Sequence, residues 1–347
     1  MRALLLLACA AVVAAGDAKA PIAWGAWAPL TPGGKPLAVS YYNLLAGAGG
    51  GVELWCDANV NGTDMVIGLP GPDLAGLQRT LPRFGADIVR GYDADLLGRK
   101  TPIISRSAAT RLKDGRHVVI AAIGPEYGAG GKLTELYPAV FVSPDGTTGS
   151  WKHLGTLAGE PERELVTARK GKQAFRFEGG SLFERPDGTL ALYCGWNPGQ
   201  PGGSRLALLT APAAEGPWTF HRTGRAITDL TARLPASGWL FPAVYDLGPR
   251  GLLLAGGEKW PPTRIDAAIS RDGLAFTPIA PLLTDAGTIL AGSTSLKSIR
   301  LLYQPGTDDV LAVANPHRKG GGDAMYPLYW TIGTFTTPKP ATAAKGR

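Results

Sequence analysis

Beyond the first fifteen residues, apolar positions fall in short runs separated by clusters of Gly, Pro, Asp and Asn, and this punctuation predicts strands rather than helices. Arg116-His117-Val118-Val119-Ile120-Ala121-Ala122, Thr189-Leu190-Ala191-Leu192-Tyr193-Cys194 and Leu252-Leu253-Leu254-Ala255 are typical. The runs recur with a common grammar. Ser107–Leu112 leads through Lys113-Asp114-Gly115 to a β-rich segment, and Ser181–Arg185 does so through Pro186-Asp187-Gly188. Pro242–Asp246 turns at Gly248-Pro249-Arg250-Gly251, and Leu296–Tyr303 turns at Gln304–Asp309. A less regular copy starts near Ser40-Tyr41-Tyr42 and turns at Gly49-Gly50-Gly51, making five hairpins.

Further strands follow each hairpin, with second turns at Ser143-Pro144-Asp145-Gly146 before Trp151, Ala211–Pro217 before Trp218, and Ser270-Arg271-Asp272-Gly273 before Phe276. Strand, turn, strand, loop, strand, turn, strand is the plan of a propeller blade, and a closed ring protects the sheet edges. The expected fold is therefore all-β: a five-bladed β-propeller of four-stranded antiparallel blades, starting near residues 38, 104, 178, 240 and 292. A β-sandwich would not need the same turns five times.

The run Ala3–Ala15 behind Arg2 has the form of a secretory signal and is too short for a membrane span. The expected organisation is residues 1–20 as signal peptide, 21–336 as one propeller domain and 337–347 as a disordered tail, with a secreted or periplasmic, monomeric product. Past the leader only Cys56 and Cys194 remain, enough for one disulfide or two separate buried thiols. The formal charge of +7 is scattered along the chain. It is either a solubility device or an attraction for an anionic polysaccharide. Nucleic acid is not expected as a partner, because no basic stripe or recognised module accompanies the charge.

In a four-stranded blade, the start of the innermost strand and the loop between the second and third strands share one face of the disc. That rule places Arg106, Glu178 and Phe241 at the central cleft, with Asp57, Tyr127, Trp196, Glu258, Trp260, Asn315, His317 and Arg318 reaching it from the loops. Asp114, Asp187 and Asp272 fall in turns on the other face and are read as structural. Trp196 and Trp260 are candidates to stack on a sugar ring or to pack between blades. No metal or cofactor is expected: His317 has no partner at ligand spacing, and phosphate-binding and dinucleotide fingerprints are missing.

Phe177-Glu178-Gly179-Gly180-Ser181, continuing through Pro186-Asp187-Gly188 to Tyr193, resembles the third-blade motif of family-43 glycoside hydrolases, and Gly216-Pro217-Trp218-Thr219 resembles a turn of the same blade. The resemblance implies a glycoside hydrolase acting on an oligosaccharide or polysaccharide, with Glu178 as general acid. It also implies an Asp base in the first blade and a tuning Asp in the second. Here the first-blade segment Val39–Asn43 holds no carboxylate and the second-blade position is Arg106, so the second catalytic carboxylate is sought in Asp57 or Glu258, with Asp93 and Asp95 further off. Arg106 and its surroundings also resemble sialidase-type propellers, a reading that would enlist Arg318 and Tyr326. A non-catalytic glycan-binding propeller is the third alternative.

Overall fold

The computed structural model describes residues 20–31, 38–39, 41–60, 63–71, 103–124, 135–147, 149–157, 161, 165, 167–168, 177–196, 205–232, 234, 240–257, 262–317 and 326–337. Five antiparallel sheets are arranged around a central axis. The first runs Tyr42–Ala46, Val52–Val60, Thr63–Gly71 from inside out, and the second Ile103–Arg111, His117–Gly124, Glu135–Ser143, Lys152–Thr156. The third comprises Phe177–Glu184, Leu190–Trp196, Arg205–Ala211, Thr219–Phe220, and the fourth Leu240–Asp246, Leu252–Gly257, Ile265–Ser270, Thr277–Leu283. In the fifth, Ser295–Gln304, Asp309–His317 and Tyr329–Phe335 are completed by Ile22–Trp24 from the start of the fold. The innermost strands neighbour one another in cyclic order, and the last lies against the first.

The second strands explain why the apolar runs are nearly continuous. Along His117–Gly124, Val118, Ile120 and Ala122 join a core shared with the third blade, while Val119, Ala121 and Ile123 join one shared with the first. Side chains alternate across a strand, so a strand sandwiched between two neighbours must be apolar on both faces. Five such cores occupy the five junctions and close the ring.

Two expectations about the blades need correcting. Four blades have four strands on the main path, whereas the first sheet has three among the described residues. The last blade does not take its outer strand from its own repeat: Ile22, Ala23 and Trp24 pair with Phe335, Thr334 and Gly333. Ile22 is fully buried, and the Trp24 indole donates to Leu282 O at 2.7 Å. Cys56 and Cys194 are separate buried thiols in the second strands of the first and third sheets, so of the two sequence readings the structure takes the unbridged one. Of the expected signal peptide, residues 1–20, and tail, residues 337–347, all but residues 20 and 337 lie outside the described residues.

Turn chemistry follows the sequence. Asp114 accepts from Arg116 N, Asp187 from Thr189 Oγ1 and N, and Asp272 from both Ala275 N and Leu274 N. These bonds hold the Asp114 and Asp187 carboxyls below the usual range, and Asp272 down to about 2. Each is spent on its own turn.

Candidate functional site

Four innermost strands carry the same irregularity at the same height. Arg106-Ser107 together oppose Ala121, Glu178-Gly179 oppose Gly195, Phe241-Pro242 oppose Gly256, and Lys297-Ser298 oppose Asn315. Each is a β-bulge, which leaves one residue out of the ladder and re-aims its side chain. Pro242 fits because a bulged position does not need its N–H in the ladder. In the first sheet pairing starts at Tyr42, and Tyr41 immediately precedes it at the same end. The four bulges thus place the backbones of Arg106, Glu178, Phe241 and Lys297 at one end of the ring, with Tyr41 at the start of the first sheet.

Arg106 adopts φ 53, a conformation uncommon for a non-glycine residue. Gly179, at φ 77, lies so close that a Cβ there would stand 3.0 Å from Arg106 O. The second and third blades therefore interlock at their bulges, and glycine after Glu178 is what permits it. Arg106 and Lys297 converge on the first sheet: the guanidinium lies 5.3 Å from the centre of the Tyr41 ring and the Lys297 ammonium 4.6 Å. Lys297 is 9% exposed, whereas Arg106 and Tyr41 are half-buried.

Beneath the bulges runs a ring of polar contacts between blades. Asn43 Nδ2 donates to Ser107 O and Oγ at 3.2 Å, and Val244 N to Ser181 Oγ at 3.0 Å. Tyr245 OH donates to Ile299 O at 2.7 Å, and Tyr42 OH to Ser298 O and Val313 O at 3.1 Å. Burial raises the pKa of both tyrosines, outweighing the nearby Arg300, so they remain neutral donors. Arg300 gives Nε to Tyr42 O at 2.9 Å. Asn315 holds the fifth bulge, its Oδ1 accepting from Ser298 N at 2.7 Å, while its fully buried Nδ2 has no acceptor among the described residues. Towards the hairpin turns the same strands enclose a cavity of about 190 Å³, reached by Arg111, Asp246 and Arg300.

The sequence-predicted residues fall unevenly on this frame. Arg106 and Glu178 occupy equivalent bulges, although the side chain of Glu178 lies outside what is described. Asp57 follows Cys56, the partner of Tyr42, so its backbone stands at the bulged end of the first sheet. His317 closes the second strand of the fifth blade opposite Ser295, at the same end. Side chains of Asp57 and His317 are likewise outside the description. Trp196, 8% exposed, ends a second strand opposite Phe177, belongs to the core between the second and third blades, and carries the Arg205 guanidinium 5.9 Å from its ring centre. Tyr127, Glu258, Trp260, Arg318, Asp93 and Asp95 lie outside the described residues.

Lys297 and Tyr41 were not singled out from sequence. Superposing Leu296-Lys297-Ser298-Ile299 on the polar pair that precedes each apolar inner strand would have found Lys297. Among the described residues no group of three or more His, Cys, Asp or Glu side chains is placed to hold a metal. The bulged end thus brings together two backbone-placed carboxylates, Glu178 and Asp57, with the Arg106 and Lys297 cations against the Tyr41 ring.

No protein-family model matches the sequence, and no curated protein matches it. Solved structures do. An exo-β-1,3-galactanase from Clostridium thermocellum superposes with a TM-score of 0.58 at 12% identity over 87% of this chain and 60% of that one. The α-L-arabinofuranosidase catalytic domain from Coprinopsis cinerea, of family 62, gives 0.56 at 12% identity over 90% and 98%. A family-43 β-1,3-galactosidase gives 0.52 at 12% identity over 90% of this chain and 60% of its own length. The chain thus spans about three fifths of the first and third of these proteins and nearly all of the second. The likeness to family 43 expected from the Glu178 motif therefore extends to the whole architecture, and the chain has the β-propeller fold found in these glycoside hydrolases.

Proposed function

We propose that the protein is an exported glycoside hydrolase whose cleft is the bulged end of the ring, with Glu178 as the proton donor. The observation that carries this reading is positional. Of the four bulges, Arg106-Ser107, Glu178-Gly179, Phe241-Pro242 and Lys297-Ser298, only that of the third blade holds a carboxylate. In this scheme Glu178 protonates the departing glycosidic oxygen. A second carboxylate, Asp57 or Glu258, activates water or attacks the anomeric carbon, and its distance from Glu178 sets whether configuration is inverted or retained. The backbone of Asp57 stands at the same end, in the first sheet, and Glu258 lies outside the described residues. Export is inferred from the leader-like first residues.

The neighbours' names direct the assay to β-1,3-galactobiose and an aryl α-L-arabinofuranoside. Glu178→Gln should retain sugar binding and thermal stability while losing about 10²–10⁴ of turnover, the usual contribution of general acid catalysis. Loss should be smaller on the aryl substrate, whose leaving group needs less protonation. Undiminished turnover would remove Glu178 as the acid. A non-catalytic glycan-binding propeller is the second reading, favoured by Arg106 at the second-blade position where the family resemblance implies an Asp. It predicts saturable binding with no product.

A further inference from the structure

We infer that the axial cavity below the bulges binds a halide ion, chloride in the ordinary case, held by Arg300. Arg300 is 6% exposed, and it lines this cavity of about 190 Å³ enclosed by the five inner strands. Its guanidinium is bonded to backbone alone: Nε to Tyr42 O at 2.9 Å and Nη1 to Ile299 O at 3.0 Å. Both acceptors are neutral. So are the two tyrosines beside it, Tyr42 and Tyr245, whose pKa values burial raises. Among the described residues no carboxylate pairs with Arg300, and its Nη2 makes no hydrogen bond. A buried charge ordinarily has a counter-ion.

The register of the inner strands shows that the wall does not supply one. Arg300 stands at the second ladder position past its bulge, level with Ser181 in the third blade. Arg111 and Asp246, the other charged residues of the wall, stand at the fourth position of the second and fourth blades, about 7 Å nearer the hairpin turns. There they offset each other, and Asp246 already accepts from Gly248 N at 2.8 Å. One positive charge is left unbalanced at the inner end. At its level Ser181 Oγ accepts from Val244 N, so its O–H remains a donor. Asn43 and Tyr245 spend their donors on Ser107 and on Ile299 O, and Leu44, Leu182, Val244 and Leu301 are apolar. A tetrahedral oxyanion would leave most of its oxygens unsatisfied in such a wall, whereas a single-atom anion of one charge needs few donors.

Thermal unfolding of the full chain across a sodium chloride series, with ionic strength held constant by sodium HEPES, tests this. Above its Kd, chloride should raise Tm by about 2 °C per tenfold increase, the shift that linkage gives for one site in a fold of this size. Arg300→Met should remove that dependence. Asp246→Asn, which deletes the negative charge of the wall and can still accept from Gly248 N, should move its onset to about twofold lower chloride or below. Arg225→Gln, in an exposed turn of the third repeat, should change nothing. Crystals of the wild type soaked in bromide, and separately in selenate, locate the ion. An anomalous peak at hydrogen-bonding distance from Arg300 Nη2 is expected with bromide and not with selenate, and this result decides the matter should Arg300→Met fail to fold. A selenate peak without a bromide peak would overturn the halide assignment. Bromide found only on the outer surface, or an equal Tm rise in wild type and Arg300→Met, would overturn the site itself. None of these results depends on whether the cleft acts on sugars.

Discussion

Replacing Arg250 with alanine should destabilise the propeller by about 3 kcal/mol, a figure that follows from its surroundings. Arg250 is 6% exposed and joins the fourth blade to the fifth. Its Nε and Nη2 reach the two oxygens of Asp308 at 3.1 and 2.6 Å, its guanidinium lies 3.8 Å from the Phe335 ring centre, and Nη2 also donates to Thr337 O at 3.1 Å. Breaking a buried pair by removing one partner costs about 3–5 kcal/mol. The lower end applies because the Asp308 side chain keeps 27% exposure and the Tyr303 hydroxyl bond at 2.9 Å. With unfolding entropy of about 2.1 cal/mol/K per residue, a chain of this length loses roughly 4–5 °C in Tm for that change. Arg250→Lys keeps the charge and forfeits the fork, and should fall between. A cycle with Asp308→Asn, whose side chain tolerates the positive φ of 61 at that position, isolates the coupling by urea unfolding. A loss under about 1 kcal/mol for Arg250→Ala, or a coupling indistinguishable from zero, would refute the reasoning, since surface pairs behave that way.

Gly179→Ala combines a forbidden φ with an approach to Arg106 O that must be relieved, so a loss of about 2 kcal/mol in urea at constant m-value is expected, together with reduced turnover. Glu53 is buried between the first two blades, accepts from Trp55 Nε1 at 2.9 Å and meets His117 Nε2 at 2.8 Å. Although burial alone would raise its pKa, these partners carry it below the ordinary 4.5. A depressed carboxylate contributes stability above its unfolded pKa and loses it as pH falls through the folded value, so the Tm gap between wild type and Glu53→Gln should be full above pH 4.5 and shrink below. A gap constant down to pH 3 would contradict this. Cys56 and Cys194 should resist alkylation in the native protein and both label after unfolding without reductant, as mass spectrometry of the peptides would report.

Strand order was readable because a second strand squeezed between two blades must be apolar on both faces. Val118 to Ile123 and Leu190 to Cys194 therefore stand out, and Asp-Gly turns mark where each hairpin reverses. The inner strands start at 42, 103, 177, 240 and 295, within a few residues of expectation. Bulges are less legible. Nothing in Arg106-Ser107 or Lys297-Ser298 announces an unpaired residue, since a bulge is a property of two strands together. Counting back from the apolar run reaches Arg106, whereas Lys297 sits inside the strand-like run Leu296–Tyr303 and does not stand out. Pairing of Ile22–Trp24 with the last strand has no local signature at all, because its partners lie at the other end of the chain.

That long-range pairing sets the order in which the molecule can be completed. Ile22–Trp24 are among the first folded residues to be synthesised, yet the backbone groups they bond, in Gly333–Phe335, are among the last. Until those arrive, the opening strand has apolar Ile22 and Trp24 and no ladder, and the fifth blade has an open edge of the kind that recruits foreign strands. Closing a loop of such length costs little more than closing one half as long, because the entropy grows only logarithmically. The delay is therefore one of sequence rather than of barrier height. It also means that both ends of the fold meet within a single sheet, so they could be joined by a short linker and the circle opened at an exposed hairpin such as Asp114-Gly115, which moves the split from the fifth blade to the second.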